Sequence, residues 1–172
     1  TVPKLDDYAW RLWDYWERHL DPDLFIDRTL KGKVRNKVVL ITGGSSGIGL
    51  STAQRVAEAG ATTIIVARGE EELFKARDAM KKDGGKVFAY TADLADMASC
   101  DTLVQTVLAE HGHVDILINN AGRSIRRSIE ASYDRFHDFE RTMQLNYFGS
   151  IRLIMGFMPK MTERRKGHII NI

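Results

Sequence analysis

Thr42-Gly43-Gly44-Ser45-Ser46-Gly47-Ile48-Gly49 follows directly on the apolar run Val38-Val39-Leu40-Ile41 and opens a stretch of helical length near 47–59. Four of the seven residues from Gly43 to Gly49 are glycine. Glycines at a strand-to-helix junction permit a tight turn and let backbone N–H groups approach a pyrophosphate without a Cβ in the way. They also let the helix pack closely on the strand while its positive N-terminus faces the anion. A merely tight turn would use glycine too, but strand, loop and helix in this order are what a dinucleotide cradle needs. Gly43, Ser45, Ser46, Gly47, Ile48 and Gly49 are therefore candidate cofactor-binding residues.

From Lys37 onward, short β-branched runs alternate with longer helical stretches. Val38-Val39-Leu40-Ile41, Thr63-Ile64-Ile65-Val66, Val87-Phe88-Ala89-Tyr90, Ile116-Leu117-Ile118 and His168-Ile169-Ile170-Asn171-Ile172 read as five strands. Helices are expected near 47–59, 70–82, 97–111 and 134–161. Gly60 stops the first, and Asp83-Gly84-Gly85 stops the second after Lys81-Lys82 in its last turn. Strands that are apolar without alternation, each followed by a helix, call for a parallel sheet covered on both faces. The expected fold is a doubly wound, Rossmann-like α/β sheet over 37–172, preceded by a helical extension over 1–36. In that extension Leu5, Tyr8, Ala9, Leu12, Trp13, Trp16 and Leu20 keep helical spacing, and all three tryptophans lie there. Asp21-Pro22 is expected to break this helix. Its apolar side would pack on its own domain or dock onto another domain or subunit.

The glycine loop also satisfies G-x-S-x-G through Gly43, Ser45 and Gly47, the nucleophile elbow of serine hydrolases. Asp93 or Asp115 with His137 or His168 follow in the required chain order. Against this, the loop follows the first strand, no His-Gly-Gly-type oxyanion segment lies upstream, and an elbow leaves Gly49 unexplained.

In open α/β sheets the ligand lies across the carboxyl ends of the strands, and the Gly43 loop, Arg68, Asp93 and Asn120 all come just after expected strands. From Asn36 to Ile172 the sequence resembles the short-chain dehydrogenase/reductase family. Thr42 to Gly49 matches that family's T-G-x-x-x-G-I-G, and Asn119-Asn120-Ala121-Gly122 matches its N-N-A-G. The resemblance implies a cofactor-binding role for Asn120, Ala121 and Gly122, an adenine contact at Asp93-Leu94, and a catalytic-site asparagine at Asn146. Taken alone, the asparagine stretch reads as a turn, Asp93 as a helix cap, and Asn146 as an ordinary buried amide.

The cofactor is expected to be NADP(H) rather than NAD(H). An NAD site usually carries an acid about 20 residues past the glycines, at the end of the second strand. Here that position reads Val66-Ala67-Arg68-Gly69. A guanidinium binds a 2′-phosphate through charge-assisted hydrogen bonds, whereas a carboxylate repels it. Glu70 and Glu71 follow closely but fall in the first turn of the next helix, where carboxylates suit the dipole.

The family reduces carbonyls with a Ser, a Tyr and a Lys, the last two spaced as Tyr-x-x-x-Lys on one helix face. No tyrosine of this chain has Lys four residues on: the residues found there are Leu12, His19, Leu94, His137 and Ile151. The domain is therefore expected to be truncated before the catalytic Ser and Tyr-x-x-x-Lys and to be inactive alone, with Thr1 in place of an initiator Met pointing the same way. The alternative is a non-catalytic nucleotide-binding module.

With 25 Lys+Arg against 23 Asp+Glu the formal charge is +2, which argues against a polyanion-wrapping or nucleic-acid-binding protein. No apolar stretch approaches the roughly 18 residues of a membrane span, and no signal peptide opens the chain. A single cysteine, Cys100, fits a reducing compartment, so a cytoplasmic location is expected. His111-Gly112-His113 is the nearest thing to a metal motif and lacks a third ligand, so no metal site is expected. The stretch Leu5 to Leu30 resembles the joint preceding the C-terminal reductase domain of two-domain fatty acyl-CoA reductases. That implies a hydrophobic carbonyl substrate, a fatty acyl-CoA or fatty aldehyde. The expected partner is a second copy of the chain or a neighbouring domain of a longer one.

Overall fold

The computed structural model describes residues 4–20 and 27–172. They fall into two compact units, within 1–33 and 34–172. In the first, α1 spans Leu5–Tyr15 and continues as a π-helical turn over Trp16–Leu20. Trp13 and Trp16 meet with ring centroids 5.3 Å apart, and Tyr15 stacks on His19 at 4.3 Å. The expected break at Asp21-Pro22 lies outside the described residues. A short helix, α2 (Leu30–Val34), closes this part of the chain.

The second unit is built on β1 (Val38–Thr42), β2 (Thr62–Ala67), β3 (Lys86–Thr91), β4 (Ile116–Asn119) and β5 (His168–Asn171). All pairings are parallel, in the order β3-β2-β1-β4-β5. The chain runs outward from β1 to β3 and then crosses back to place β4 against the other side of β1. The switch point therefore lies between β1 and β4, at whose carboxyl ends ligands bind in such sheets.

Successive side chains of a strand point to opposite faces, so each strand feeds two cores. On one face Val39, Ile41, Ile65 and Val87 pack against α3 (Gly47–Glu58) and α4 (Glu70–Lys82) through Ala53, Val56, Leu73 and Met80. On the other, Leu40, Ile64, Val66 and Leu117 meet α5 (Met97–His111) and α7 (Ser150–Glu163) through Leu103, Val107, Leu153 and Phe157. Burying one such side chain contributes roughly 1.5–3 kcal/mol, so these paired faces account for the sheet. Gly60 and Gly84, both at positive φ, end α3 and α4 where expected.

One expectation is refined. The single helix expected over 134–161 is α6 (Phe136–Met143), a π-helical stretch Gln144–Gly149, and then α7. No described helix is long and apolar enough to cross a membrane.

Candidate cofactor site

Thr42, the last residue of β1, organises the site. Its buried hydroxyl donates to the Ile118 carbonyl (3.4 Å) and accepts the N–H groups of Asn120 (3.0 Å) and Ala121 (2.9 Å). In return, Asn120 Nδ2 donates to the Thr42 carbonyl at 3.0 Å. The turn after β4 is thereby pinned to the glycine loop. That loop is bound to β2 as well, since Gly43 and Gly44 both donate their N–H to the Val66 carbonyl (2.8 and 3.2 Å).

Two glycines are required by geometry. Gly43 has φ +68°, and a Cβ there would also crowd Asn120. A Cβ on Gly49 would strike the Gly43 carbonyl oxygen and the Asn120 amide. At the start of α3, Ser46 makes no side-chain cap. The first N–H groups of the helix are left with the partial positive charge that attracts an anion.

A cleft of about 350 Å³ opens at this point. Gly43, Ser45 and Ser46 line it from the first loop and Arg68 from the second; Leu94 comes from the third, and Asn120, Ala121 and Gly122 from the fourth. Each of these eight is a residue singled out by sequence. Gly47, Ile48 and Gly49 shape the loop without lining the cleft, and Ile48 is exposed. Val66, Ala67, Gly69, Ala92 and Leu145 also line it and were not anticipated. Ala67, Gly69, Ala92 and Leu145 each adjoin a residue already singled out, and Val66 lies two before Arg68; that proximity was the only signal available.

Asp93 is exposed and does not line the cleft. Its carboxylate accepts the N–H of Ala95 at 3.0 Å in a local turn. Nor does it cap α5: that role belongs to Asp96, which accepts from Ala98 and Ser99. Asn146 lies in the π-helical stretch, a conformation frequent at functional sites. It is exposed rather than an ordinary buried amide, and it clasps the backbone of one residue at both its N–H and its carbonyl. Asn146 Oδ1 accepts the Arg123 N–H at 2.9 Å, and Nδ2 donates to the Arg123 carbonyl at 2.8 Å.

Arg68 is exposed at the rim and is joined to no carboxylate within 4 Å among the described residues. Of the acids that follow in the next helix, Glu71 is held by Lys75 at 2.6 Å. The donor set therefore suits the phosphates of a dinucleotide: an uncapped helix N-terminus, glycines at 43 and 49 where a Cβ has no room, and an exposed guanidinium at the rim.

The hydrolase alternative meets a geometric obstacle. His168 and Asp115 lie at the amino ends of the strands, where His168 pairs in register with Ile116. Asp115 is engaged there with Val38 and Arg164. Ser45 is at the carboxyl ends. His137 sits beside Asp138 at 3.4 Å. The histidines of the pair 111 and 113 are also separately engaged. His111 bonds the Tyr90 hydroxyl, and His113 pairs with Asp115.

Fold and cleft together define a doubly wound α/β protein of the nucleotide-binding type. Residues 37–172 match the short chain dehydrogenase family, and the chain belongs to it. It is 52% identical over 147 residues to a fatty acyl-CoA reductase of Acinetobacter baylyi, covering 86% of this chain and 50% of that protein. It is 44% identical over 155 residues to a fatty acyl-CoA reductase of Mycobacterium tuberculosis, covering 89% and 53% respectively. The chain thus spans about half the length of these curated relatives. Among solved structures, L-sorbose reductase from Gluconobacter frateurii complexed with NADPH and L-sorbose superposes with a TM-score of 0.75 at 34% identity, covering 80% of this chain and 52% of that one. A metagenomic short-chain oxidoreductase in complex with NADP gives 0.76 at 28%, covering 80% and 62%.

Proposed function

We propose that this chain is the cofactor-binding half of an NADP(H)-dependent reductase acting on a hydrophobic carbonyl compound, a fatty acyl-CoA or fatty aldehyde. The observation that carries the cofactor choice is Arg68, exposed at the cleft rim without a carboxylate partner among the described residues. The names of the two reductase relatives support the substrate class.

In this reading the bound cofactor supplies a hydride to the carbonyl carbon. The backbone from Gly43 to Gly49 and the hydroxyls of Ser45 and Ser46 hold the pyrophosphate, and Arg68 holds the 2′-phosphate. Leu94 flanks the adenine, and Asp93, outside the cleft, holds the turn that presents it. Asn120, Ala121 and Gly122 border the ribose and nicotinamide end, and Asn146 supports that end through the Arg123 peptide. The proton required at the carbonyl oxygen comes from a Tyr-x-x-x-Lys pair that these 172 residues do not contain, so we expect no turnover by this segment alone. A non-catalytic nucleotide-binding module is the competing reading, and it predicts cofactor binding without reduction by any form of the protein.

Two further elements belong to the proposal. Phe136, Phe139, Met143, Tyr147, Met155 and Met158 are exposed along the helical run 136–163, which suits burial against a second copy or a neighbouring domain. Cys100, the one cysteine, is free and buried, which suits the cytoplasm. Steady-state assays of the full-length protein with NADPH test the function. Turnover of fatty acyl-CoA or fatty aldehyde is expected; turnover of only sterols, sugars or short ketones would reject the substrate class.

A further inference from the structure

The turn that borders the cleft continues past Gly122 into a stretch with little regular structure, which rejoins the helical run at Phe136. Side chains from that run hold the stretch at two points. The first is the Asn146 clasp on the Arg123 peptide. The second is Asp138, eight residues earlier on the same run. Its Oδ2 accepts Arg127 Nη1 at 2.8 Å and Arg135 Nε at 2.9 Å. Its Oδ1 lies 3.4 Å from His137 Nε2 and 3.9 Å from Arg141 Nη1.

A carboxylate in the first turn of a helix is ordinarily solvated and favours the dipole without a partner. Asp138 departs from this: only 8% of it is exposed, while Arg127 and Arg141 stand at the surface and Arg135 is half-buried. The Arg135 hydrogen bond above all, with that of Arg127, holds its carboxyl below the ordinary carboxylate range against the opposing effect of desolvation. The acid is thus kept ionised, as an enclosed acceptor needs to be. Asp138 does not line the cleft, so it has no direct part in cofactor binding. Its reach into the site runs through Arg127, at the far end of the short segment that leaves the cleft at Gly122.

We infer that Asp138 is a positioning residue. By holding Arg127 while Asn146 holds Arg123, it sets the segment Arg123–Arg127 as a wall of the carbonyl-substrate subsite. This rests on the proposed function, which puts the nicotinamide end of the cofactor at Asn120–Gly122. A two-point anchorage has a consequence that one anchor lacks: the residues between the clasps, Ser124, Ile125 and Arg126, keep one path beside the cleft. Losing the Asp138 anchor leaves the cofactor cradle intact and frees the wall.

The test uses the full-length protein with NADPH and a fatty aldehyde. Asp138→Asn is expected to raise the aldehyde KM about fivefold or more with kcat and NADPH affinity changed less than about twofold. Amide hydrogen exchange over 123–127 should accelerate about tenfold while β1 to β4 stay protected. Asp138→Glu, which keeps the charge, should recover most of the KM. Arg127→Ala approaches the same contact from the exposed side if the buried variant folds poorly. The double variant should be no worse than either single one, because both remove one interaction. Unchanged exchange over 123–127 overturns the clasp, and faster exchange with an unchanged KM overturns its role in substrate binding. A parallel loss of NADPH affinity overturns the assignment to the substrate side. A wild-type protein that binds NADPH and reduces no carbonyl compound is a different result, counting against the proposed function itself.

Discussion

Thr42 and Asn120, 78 residues apart in sequence, are joined twice: the Asn120 amide donates to the Thr42 carbonyl, and the Thr42 hydroxyl accepts the Asn120 N–H, both at 3.0 Å. The phosphate loop and the turn after β4 therefore act as one element. Anything bound between them meets a single preorganised wall.

Thr42→Val keeps the volume and β-propensity of the residue and removes only the hydroxyl. The N–H groups of Asn120 and Ala121 then lose their acceptor. Leaving such groups unpaired costs about 1–3 kcal/mol each. A loss of about 2 kcal/mol in chemical denaturation is expected, together with weaker nucleotide binding.

Gly49→Ala places a methyl against the Gly43 carbonyl and the Asn120 amide. Overpacking of this kind costs about 1–3 kcal/mol. Relief requires the loop to move, so NADPH affinity should fall about tenfold or more. Isothermal titration beside a thermal melt separates the two effects.

Asp115 ties the start of β1 to the end of α7, accepting from the Val38 N–H and from Arg164 Nη2, each at 2.8 Å. Burial alone would raise its pKa, but these bonds and the nearby His113 outweigh burial and lower it. A group whose folded pKa is depressed stabilises the fold above its unfolded pKa, about 3.9, and loses that contribution as pH falls through the folded value. Asp115→Ala should thus cost about 2 kcal/mol at neutral pH and progressively less below about pH 4. Urea melts at several pH values check this.

Cys100 is fully buried, its Sγ 3.6 Å from the Leu94 carbonyl, and burial pushes its thiol up to about 11. Little thiolate exists at neutral pH, and only the thiolate reacts. Thiol reagents should leave the native protein unlabelled and modify it once unfolded. Rapid labelling of the native state would contradict the packing of α5 on the sheet.

The legible parts of the sequence were those where one physical demand fixes residue type. β1 and β2 are covered on both faces, so their runs Val38–Ile41 and Ile64–Ala67 are apolar and stand out without alternation. The glycine loop was legible because Gly43 and Gly49 sit where a Cβ has no room. Arg68 was legible from its place at the end of β2. Helical spacing is less discriminating: over the six residues Gln144–Gly149 a π-helical stretch and an α-helix leave the same apolar pattern. Asp93, expected at the adenine and otherwise readable as a helix cap, does neither: it stays outside the cleft and Asp96 caps α5, because both acids precede the helix and only geometry separates them. Asp138 was invisible. Its neighbours Arg135, His137 and Arg141 make it look like one charge of a solvated surface, and its enclosure depends on Arg127 arriving from a loop.

The central claim is that the cleft takes a 2′-phosphorylated dinucleotide through Arg68. Fluorescence titration of the full-length protein with NADPH and NADH tests it most directly. A charge-assisted contact of about 1.5–3 kcal/mol predicts NADPH tighter by about tenfold or more, with Arg68→Glu flattening or reversing the preference. Equal affinity for the two nucleotides in the unaltered protein, or a preference that survives Arg68→Glu, would contradict the account.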